Sequence, residues 1–464
     1  MKILMLGWEY PPHIAGGLGI ACQGLTKALA RLGVDITFVV PRLYGDEDAS
    51  HMTLKDPYGE LAKSSRKLKG KVSTISIPAL LNPYWDEDGF NKYVAALKKH
   101  VATDTRAIKK DAYRSIFPNL SDDEFEALVT KIQNSRKAPD GHYGKNIFEA
   151  VVNFTDQVVA IMSNEECDII HAHDWMTYPA GVALSKILSR PLVAHIHSLE
   201  YDRSGAGINP RINLIEELGL ISANAVIAVS NYTKSIVHSQ HNVPVENIHV
   251  VHNGILPRKN TVHYAKAKHK WPGKVVLFLG RVTYQKGPEY FVRAAAKVVP
   301  HVPDVLFVMA GTGDMLPRMI SLTKELGIDQ NFSFTGFVKG HQLEEVLSVA
   351  DLYVMPSVSE PFGISALEAI DFDTPAIISK QSGVAEVLSH SLKFDFWDVD
   401  RLADFMINGL VHKELREDLL QGAKQELLKL RWDAAALKTL NVYKSVMSDF
   451  IQCQSLQSIN NECL

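Results

Sequence analysis

The apolar run Leu352-Tyr353-Val354-Met355 stops at Pro356, gives way to the loop Ser359-Glu360-Pro361-Phe362-Gly363, and resumes as Ile364-Ser365-Ala366-Leu367-Glu368-Ala369, a helical pattern ending near Asp373. A short buried strand followed by a loop and a helix is one half of a parallel α/β unit. In such sheets ligands gather at the carboxyl ends of strands and at helix N-termini, where unpaired N–H groups draw anions. This corner holds Glu360 in the loop, Gly363 where backbone can approach a ligand closely, and Glu368 two turns on. A glutamate at a helix start is by itself only compatible with the dipole, and one in a second turn is ordinarily solvated. Taken alone, those bland readings are the better ones; what remains to be weighed is that the two are spaced as E-x7-E around Pro-Phe-Gly.

The same rhythm opens the chain. Residues 2–8 read as a buried strand, then come Glu9-Tyr10-Pro11-Pro12-His13-Ile14-Ala15-Gly16-Gly17-Leu18-Gly19 and a helix to about Leu32. A dinucleotide fingerprint needs G-x-G-x-x-G directly after the strand. Here Gly17-Leu18-Gly19 is followed by Cys22 and the loop is longer and prolyl. An NAD-dependent enzyme is therefore a weak reading, although Gly16 and Gly17 still offer N–H groups to a phosphate or sugar hydroxyl. A second strand spans 34–40. Between about 43 and 146 the rhythm breaks: 63–71 is basic and loop-like, and 92–114 is an expected helix bearing Lys98, Lys99, Lys109 and Lys110. That face could meet anionic lipid or a polymeric acceptor, but Asp104 and Asp111 interrupt it, which favours a solvated helix.

A helix at 147–162 leads into Asp168-Ile169-Ile170-His171-Ala172-His173-Asp174-Trp175, a strand with a polar end. His171 and His173 share a face by alternation. The deeper His171 reads as packed, while His173 stands where a ligand would be; no third ligand near them is legible for a metal. A helix at 179–188 and a strand at 192–196 follow. The polar loop His197-Ser198-Leu199-Glu200-Tyr201-Asp202-Arg203-Ser204-Gly205 reads as an acceptor or sugar contact. A strand at 225–229, Ser230 as helix N-cap, a strand at 248–251 and the turn His252-Asn253-Gly254-Ile255 complete the first half.

The second half starts near Lys274 with the strand 275–279, then Arg281-Val282-Thr283-Tyr284-Gln285-Lys286-Gly287. Two cations five residues apart in a strand-to-helix loop suit a diphosphate, although surface loops often carry such pairs. Strands 305–310 and 331–338 follow, and 375–378 with Ser382-Gly383-Val384-Ala385-Glu386 reads as the last strand and turn. Helices are expected at 398–412 and 415–428, then a terminal helix from Arg431-Trp432 to about Phe450, with a polar, disordered tail beyond Gln452.

Composition closes off other classes. At 464 residues two domains of roughly 200 residues are expected. A net charge of −3 argues against general nucleic-acid binding. Cys22, Cys167, Cys453 and Cys463 form no zinc pattern and read as reduced and cytosolic. The N-terminus lacks a signal-peptide core and no stretch is apolar enough for a membrane span, so a cytoplasmic protein is expected. Asp398-Val399-Asp400 is a D-x-D, but Asp46-Glu47-Asp48, Asp86-Glu87-Asp88 and Asp371-Phe372-Asp373 match equally among 52 acidic residues, so no metal is assigned.

The ordered set Glu-Tyr-Pro-Pro with Gly16-Gly17, His171-Ala172-His173-Asp174-Trp175, Gly280-Arg281 with Lys286-Gly287, and Glu360 with Glu368 resembles retaining glycosyltransferases of the glycogen-synthase-like GT-B type, family 4. The resemblance spans the chain except about 43–146. At one position, Ile14, the best-known bacterial glycogen synthases carry lysine. The resemblance implies an α/β fold of two Rossmann-like doubly wound domains facing a central cleft. Their expected bounds are 1–255 (acceptor side, with the helical insertion), 256–430 (nucleotide-sugar side) and 431–464 (crossover helix and tail).

It also implies the roles. Arg281 and Lys286 would meet the donor diphosphate, and Glu360 with the amides of Phe362, Gly363 and Ile364 would hold the sugar. Glu368 would take the ribose, the backbone near Val338 the base, and His173 the transferred sugar. Gly16, Gly17 and Asn253 would complete the donor site. The expected activity is metal-independent hexosyl transfer of EC 2.4.1 type, glucose foremost, from a nucleoside-diphosphate sugar to a glucan or other saccharide, with no cofactor and no nucleic-acid partner. A membrane-associated transferase making glycolipid or cell-surface polysaccharide, and a non-catalytic saccharide-binding module, are the alternatives. Donor base, acceptor and oligomeric state stay open.

Overall fold

The computed structural model describes residues 1–13, 16–56, 147–205, 207–256 and 273–462. The loop expected at 63–71, the lysine-bearing helix at 92–114 and Ile14 lie outside them.

The first sheet contains β1 (Lys2–Leu6), β2 (Asp35–Val39), β3 (Thr53–Lys55), β4 (Ile169–His173), β5 (Leu192–Ile196), β6 (Ala225–Ala228) and β7 (Ile248–Val250), in the order β3-β2-β1-β4-β5-β6-β7. The second contains β8 (Val275–Leu279), β9 (Leu306–Ala310), β10 (Phe332–Gly336), β11 (Leu352–Met355), β12 (Ala376–Ser379) and β13 (Leu392–Phe394), in the order β10-β9-β8-β11-β12-β13. All pairings are parallel. Central runs such as β5 and β6 are buried at every residue, as strands covered by helices on both faces must be.

Each sheet reverses its strand order once, between β1 and β4 and between β8 and β11. The strands on either side of a reversal send their following loops to opposite faces, which leaves a crevice at their carboxyl ends. The functional candidates collect at these two crevices.

Three expectations are corrected. The last strand is β13, not the run at 375–378; at three residues β13 is too short to show alternation. The three-residue β3 adds an edge inside the stretch read as irregular. The terminal helix runs Trp432–Glu462, past Phe450, so the stretch beyond Gln452 is helical. No proline or glycine interrupts it there. Trp432, Ala435, Ala436, Val442, Tyr443 and Val446 along that helix join the first sheet's core beside the helix Gly17–Arg31. Conversely, Val229 and Ile255 join the second sheet's core, and Ile364 packs against both. No helix among the described residues is long and apolar enough to cross a membrane.

Candidate active site

The loops after β8 and β11 meet at the second crevice. The first closes as the 3-10 turn Tyr284–Lys286 and then Gly287, whose φ is +64°. A Cβ at Gly287 would lie 2.1 Å from the carbonyl oxygen of Pro356, so only glycine lets the two loops touch. The Lys286 Nζ forms an ion pair with Glu360 Oε2, and Ser357 Oγ donates to the same oxygen at 3.2 Å. Glu360 is 7% exposed, so its charge is held by these partners rather than by water. Arg281 Nη2 donates to Gln285 Oε1 at 3.2 Å on the same loop. The corner therefore joins Lys286 to Glu360, with Arg281 on the same loop as Lys286.

Gly363 (φ +109°) starts the helix Ile364–Asp371, which has no side-chain cap and so leaves its first amides available. Phe362 is buried, its ring tilted against His252 at 5.9 Å; Asn253, next in the chain, is buried too. Glu368 is half-buried with no hydrogen-bond partner for its carboxylate among the described residues. Burial, then the charge of Asp371, push its pKa up to about 7. Val338, just past β10, packs against the second core two strands from β8.

At the first sheet's crevice, Gly16 and Gly17 are exposed at a helix start, with nothing within 4 Å of an added Cβ. His173, ending β4, is 0% exposed. Its Nδ1 lies 3.0 Å from His197 Nε2, and its Nε2 is buried without a partner among the described residues. His171 is packed and satisfied, as its depth in the strand implied: Nδ1 meets Tyr443 Oη at 2.6 Å and Nε2 meets His195 Nδ1 at 3.2 Å. Burial holds all four imidazoles neutral, with His171 and His197 pushed down to about 3.

The expectation that no third ligand stands near the histidine pair is corrected. Ligand atoms of Cys22, His173 and His197 lie within 4.8 Å of one another, as do those of His171, His173 and His195. The strand pairing His173↔His195, invisible in one dimension, assembles them. In the first of these sets the two imidazoles are bonded to each other. A neutral imidazole has one N–H and one lone pair. In the His173–His197 bond one ring donates and the other accepts. Their outward nitrogens are therefore one N–H and one lone pair, and holding a metal with both would break that bond.

No hydrogen bond or ring contact among the described residues joins His173 to Glu360 or Lys286. The halves meet elsewhere. Glu386 takes the N–H groups of Asn231 (2.9 Å) and Tyr232 (2.6 Å) at the start of the helix Asn231–His241, and meets His252 Nε2 at 3.1 Å. Burial pushes the Glu386 carboxyl up, but these bonds outweigh it and its pKa is lowered. Ser230 caps that helix as expected, accepting from Thr233 N, and its hydroxyl also donates to Pro361 O at 2.6 Å.

The loop at 197–205, read as an acceptor or sugar contact, proves more ordered than a polar loop suggests. Residues Glu200–Ser204 form a short helix, and Glu200 and Arg203 are turned inward. Arg203 donates to Glu200 Oε2 (3.2 Å), Glu216 Oε1 (2.8 Å) and Ser198 O (2.9 Å). A buried guanidinium must spend its donors on protein partners, which this does. Ser357, Gln285 and Asp202 were not singled out from sequence. Only their positions next to the Arg281–Lys286 and Glu360 motifs and in the polar loop could have marked them.

Comparison with known proteins agrees with this architecture. Residues 2–248 match the starch synthase catalytic domain and residues 263–426 match glycosyl transferases group 1. An uncharacterized glycosyltransferase of Methanocaldococcus jannaschii is 30% identical, covering 96% of this chain and 99% of the relative. A glycogen synthase of Mycobacterium tuberculosis is 24% identical over 96% of this chain and 94% of its own. The sucrose-phosphate synthase structure from Thermosynechococcus elongatus superposes with a TM-score of 0.67 at 18% identity, covering 97% of this chain and 99% of that one. With two parallel sheets, a crevice at each strand-order reversal and these matches, the chain belongs to the GT-B glycosyltransferases whose first half is a starch synthase catalytic domain and whose second half is of group 1.

Proposed function

We propose that this glycosyltransferase is a retaining hexosyltransferase of family 4, moving a hexose, glucose foremost, from a nucleoside-diphosphate sugar to a glucan or other saccharide. The observation that carries this reading is the Lys286–Glu360 pair at the β8/β11 crevice, with Arg281 on the same loop. Residues 1–255 serve the acceptor and 256–430 the donor, and the helix from 431 straps them together. Arg281, Lys286 and helix N-terminal amides neutralise the leaving diphosphate without a metal, by charge placed beforehand where charge develops, while the amides of Phe362, Gly363 and Ile364 lie by the sugar with Glu360. Glu360 exchanges part of its bond with Lys286 for the sugar hydroxyls as the diphosphate takes the ammonium.

Glu368 accepts from the ribose, and the backbone at Val338 meets the base. His173 Nε2, buried and without a partner among the described residues, meets the transferred sugar when the crevice opens to admit it, with Gly16, Gly17 and Asn253 lining the remainder. Retention follows from attack on the leaving-group face, with a donor phosphate oxygen taking the acceptor's proton. No step asks Glu360 to act as nucleophile. The protein works in the cytoplasm with no bound cofactor.

The test is a thermal-shift screen with ADP-, UDP- and GDP-sugars, followed by nucleotide release with saccharide acceptors and NMR of the new anomeric centre. One base should raise the melting temperature and support transfer with retained configuration. No shift and no release with any of the three would overturn the reading, and an inverted product would overturn the retention.

A further inference from the structure

The segment 200–205 touches both loops that form the donor corner, although it belongs to the first half. Asp202 Oδ1 accepts from Ser359 Oγ at 2.5 Å, and Ser359 immediately precedes Glu360. On the same segment, a Cβ at Gly205 would lie 3.0 Å from Cε1 of Tyr284, in the turn that ends at Lys286. The segment itself is braced from beneath by the buried Arg203, Glu200 and Glu216.

The hydrogen bonds have a defined direction. Asp202 Oδ2 already accepts the Leu199 N–H at 2.8 Å; burial raises the Asp202 pKa, and in its ionised form the carboxylate offers only acceptors, so Ser359 gives its one hydrogen. The Tyr232 hydroxyl, 3.0 Å from Ser359 Oγ, then donates to it. One hydroxyl of the second half is thus clasped between two side chains of the first. Asp202 is 1% exposed and Ser359 8%, so neither finds water in place of the other. An unmet carboxylate there is costly, which makes the contact close to all-or-none.

We propose that Asp202 is a positioning residue for sugar transfer: through Ser359 it adds a charge-assisted bond from the first half to the loop 357–363, and this added bond holds Glu360 in register with Lys286. It stands beside the bonds that Ser230 and Thr233 make to Pro361 O and the second half's own bonds at Val358 N and Glu360 N. The consequence for turnover rests on the transferase reading of the site; the positioning itself does not.

Hydrogen–deuterium exchange on the full chain tests the positioning without substrate. In Asp202→Ala and Ser359→Ala, amides of 357–363 should exchange about 10–100-fold faster, the effect expected for loss of one charge-assisted bond. Ser359→Thr, which keeps the hydroxyl, should exchange like the wild type. Peptides from the helix Pro210–Ser222, behind the Arg203 network, should be unchanged in all three, which separates a freed loop from a damaged fold.

Hydrolysis or transfer of UDP-glucose, ADP-glucose or GDP-glucose, whichever the wild type turns over, reads the consequence. The two alanine variants should lose kcat by about 10–100-fold with KM little changed, and the double variant should be no worse than either single. Unchanged loop exchange in Asp202→Ala, or effects that multiply in the double variant, would overturn the proposal. If the wild type turns over none of the three donors, the transferase reading fails and the exchange result still decides the positioning.

Discussion

Replacing Lys286 with alanine separates what the Lys286–Glu360 pair does for the fold from what it does for transfer. The side chains are 22% and 9% exposed, so the pair lies between a surface bridge and a buried one. Exposed pairs contribute about 0–1 kcal/mol, while stripping one partner from a buried pair costs about 3–5 kcal/mol. An intermediate cost of about 2 kcal/mol is therefore expected, because Glu360 keeps only the Ser357 hydroxyl. For a domain of this size that lowers Tm by about 4–8 °C.

The effect on turnover is separate. Loss of one preorganised group at the developing charge costs about 10²–10³ in kcat. The variant Lys286→Ala/Glu360→Gln distinguishes the two effects. It removes the stranded carboxylate charge, so much of the lost Tm should return, while transfer stays as low as in the single variant. Calorimetry and steady-state kinetics on the three proteins suffice. Turnover within about threefold of wild type in Lys286→Ala would refute the assigned role. A double variant as unstable as the single would refute the argument from a stranded charge.

Two further outcomes follow from the same corner. The Glu368 carboxyl titrates near 7, above its ordinary value of 4.5, and a raised carboxyl favours the fold when protonated. Its contribution to stability is therefore full below its unfolded value and lost as pH rises through 7. Donor binding runs the other way, since ribose hydroxyls need the ionised form. Donor KM should fall between pH 6 and 8, roughly one unit either side of this pKa, and Glu368→Gln should flatten that dependence; identical profiles would count against the contact. Gly311, with φ of +144°, would place an added Cβ 1.8 Å from the carbonyl oxygen of Gly280, next to Arg281. Gly311→Ala should cost about 3 kcal/mol or more. Gly327→Ala, at φ +69° with open space around it, should cost only about 1–2 kcal/mol by chemical denaturation.

Much of the donor corner could be read in advance because its parts are local. Arg281 and Lys286 share one loop, Glu360 and Gly363 one turn, and each sits after an apolar run whose strand character needs no partner to be recognised. Ser230 was legible as a cap for the same reason: it bonds to Thr233, three residues on. The burial of the charges in the polar loop at 197–205 was not legible because they look solvated in one dimension. Glu216, which takes the Arg203 guanidinium, lies on a different helix. The terminal helix was cut short because a polar tail has no amphipathic signal, although it also has nothing to break a helix.

From its sequence alone the chain determined the succession of strand, loop and helix, the glycines at its sharp turns and the charged residues each loop can offer. These depend on a residue's neighbours within a turn or two. Tertiary structure alone decided that Lys286 lies against Glu360 and that Tyr443 supports His171. It alone decided that His173 is sealed beside His195 and His197, and that Asp202 holds Ser359. Each of these joins groups from different strands or different halves. Which groups meet is set by which strands lie side by side, and that order is chosen by burying whole apolar faces at once rather than by any residue near the contact.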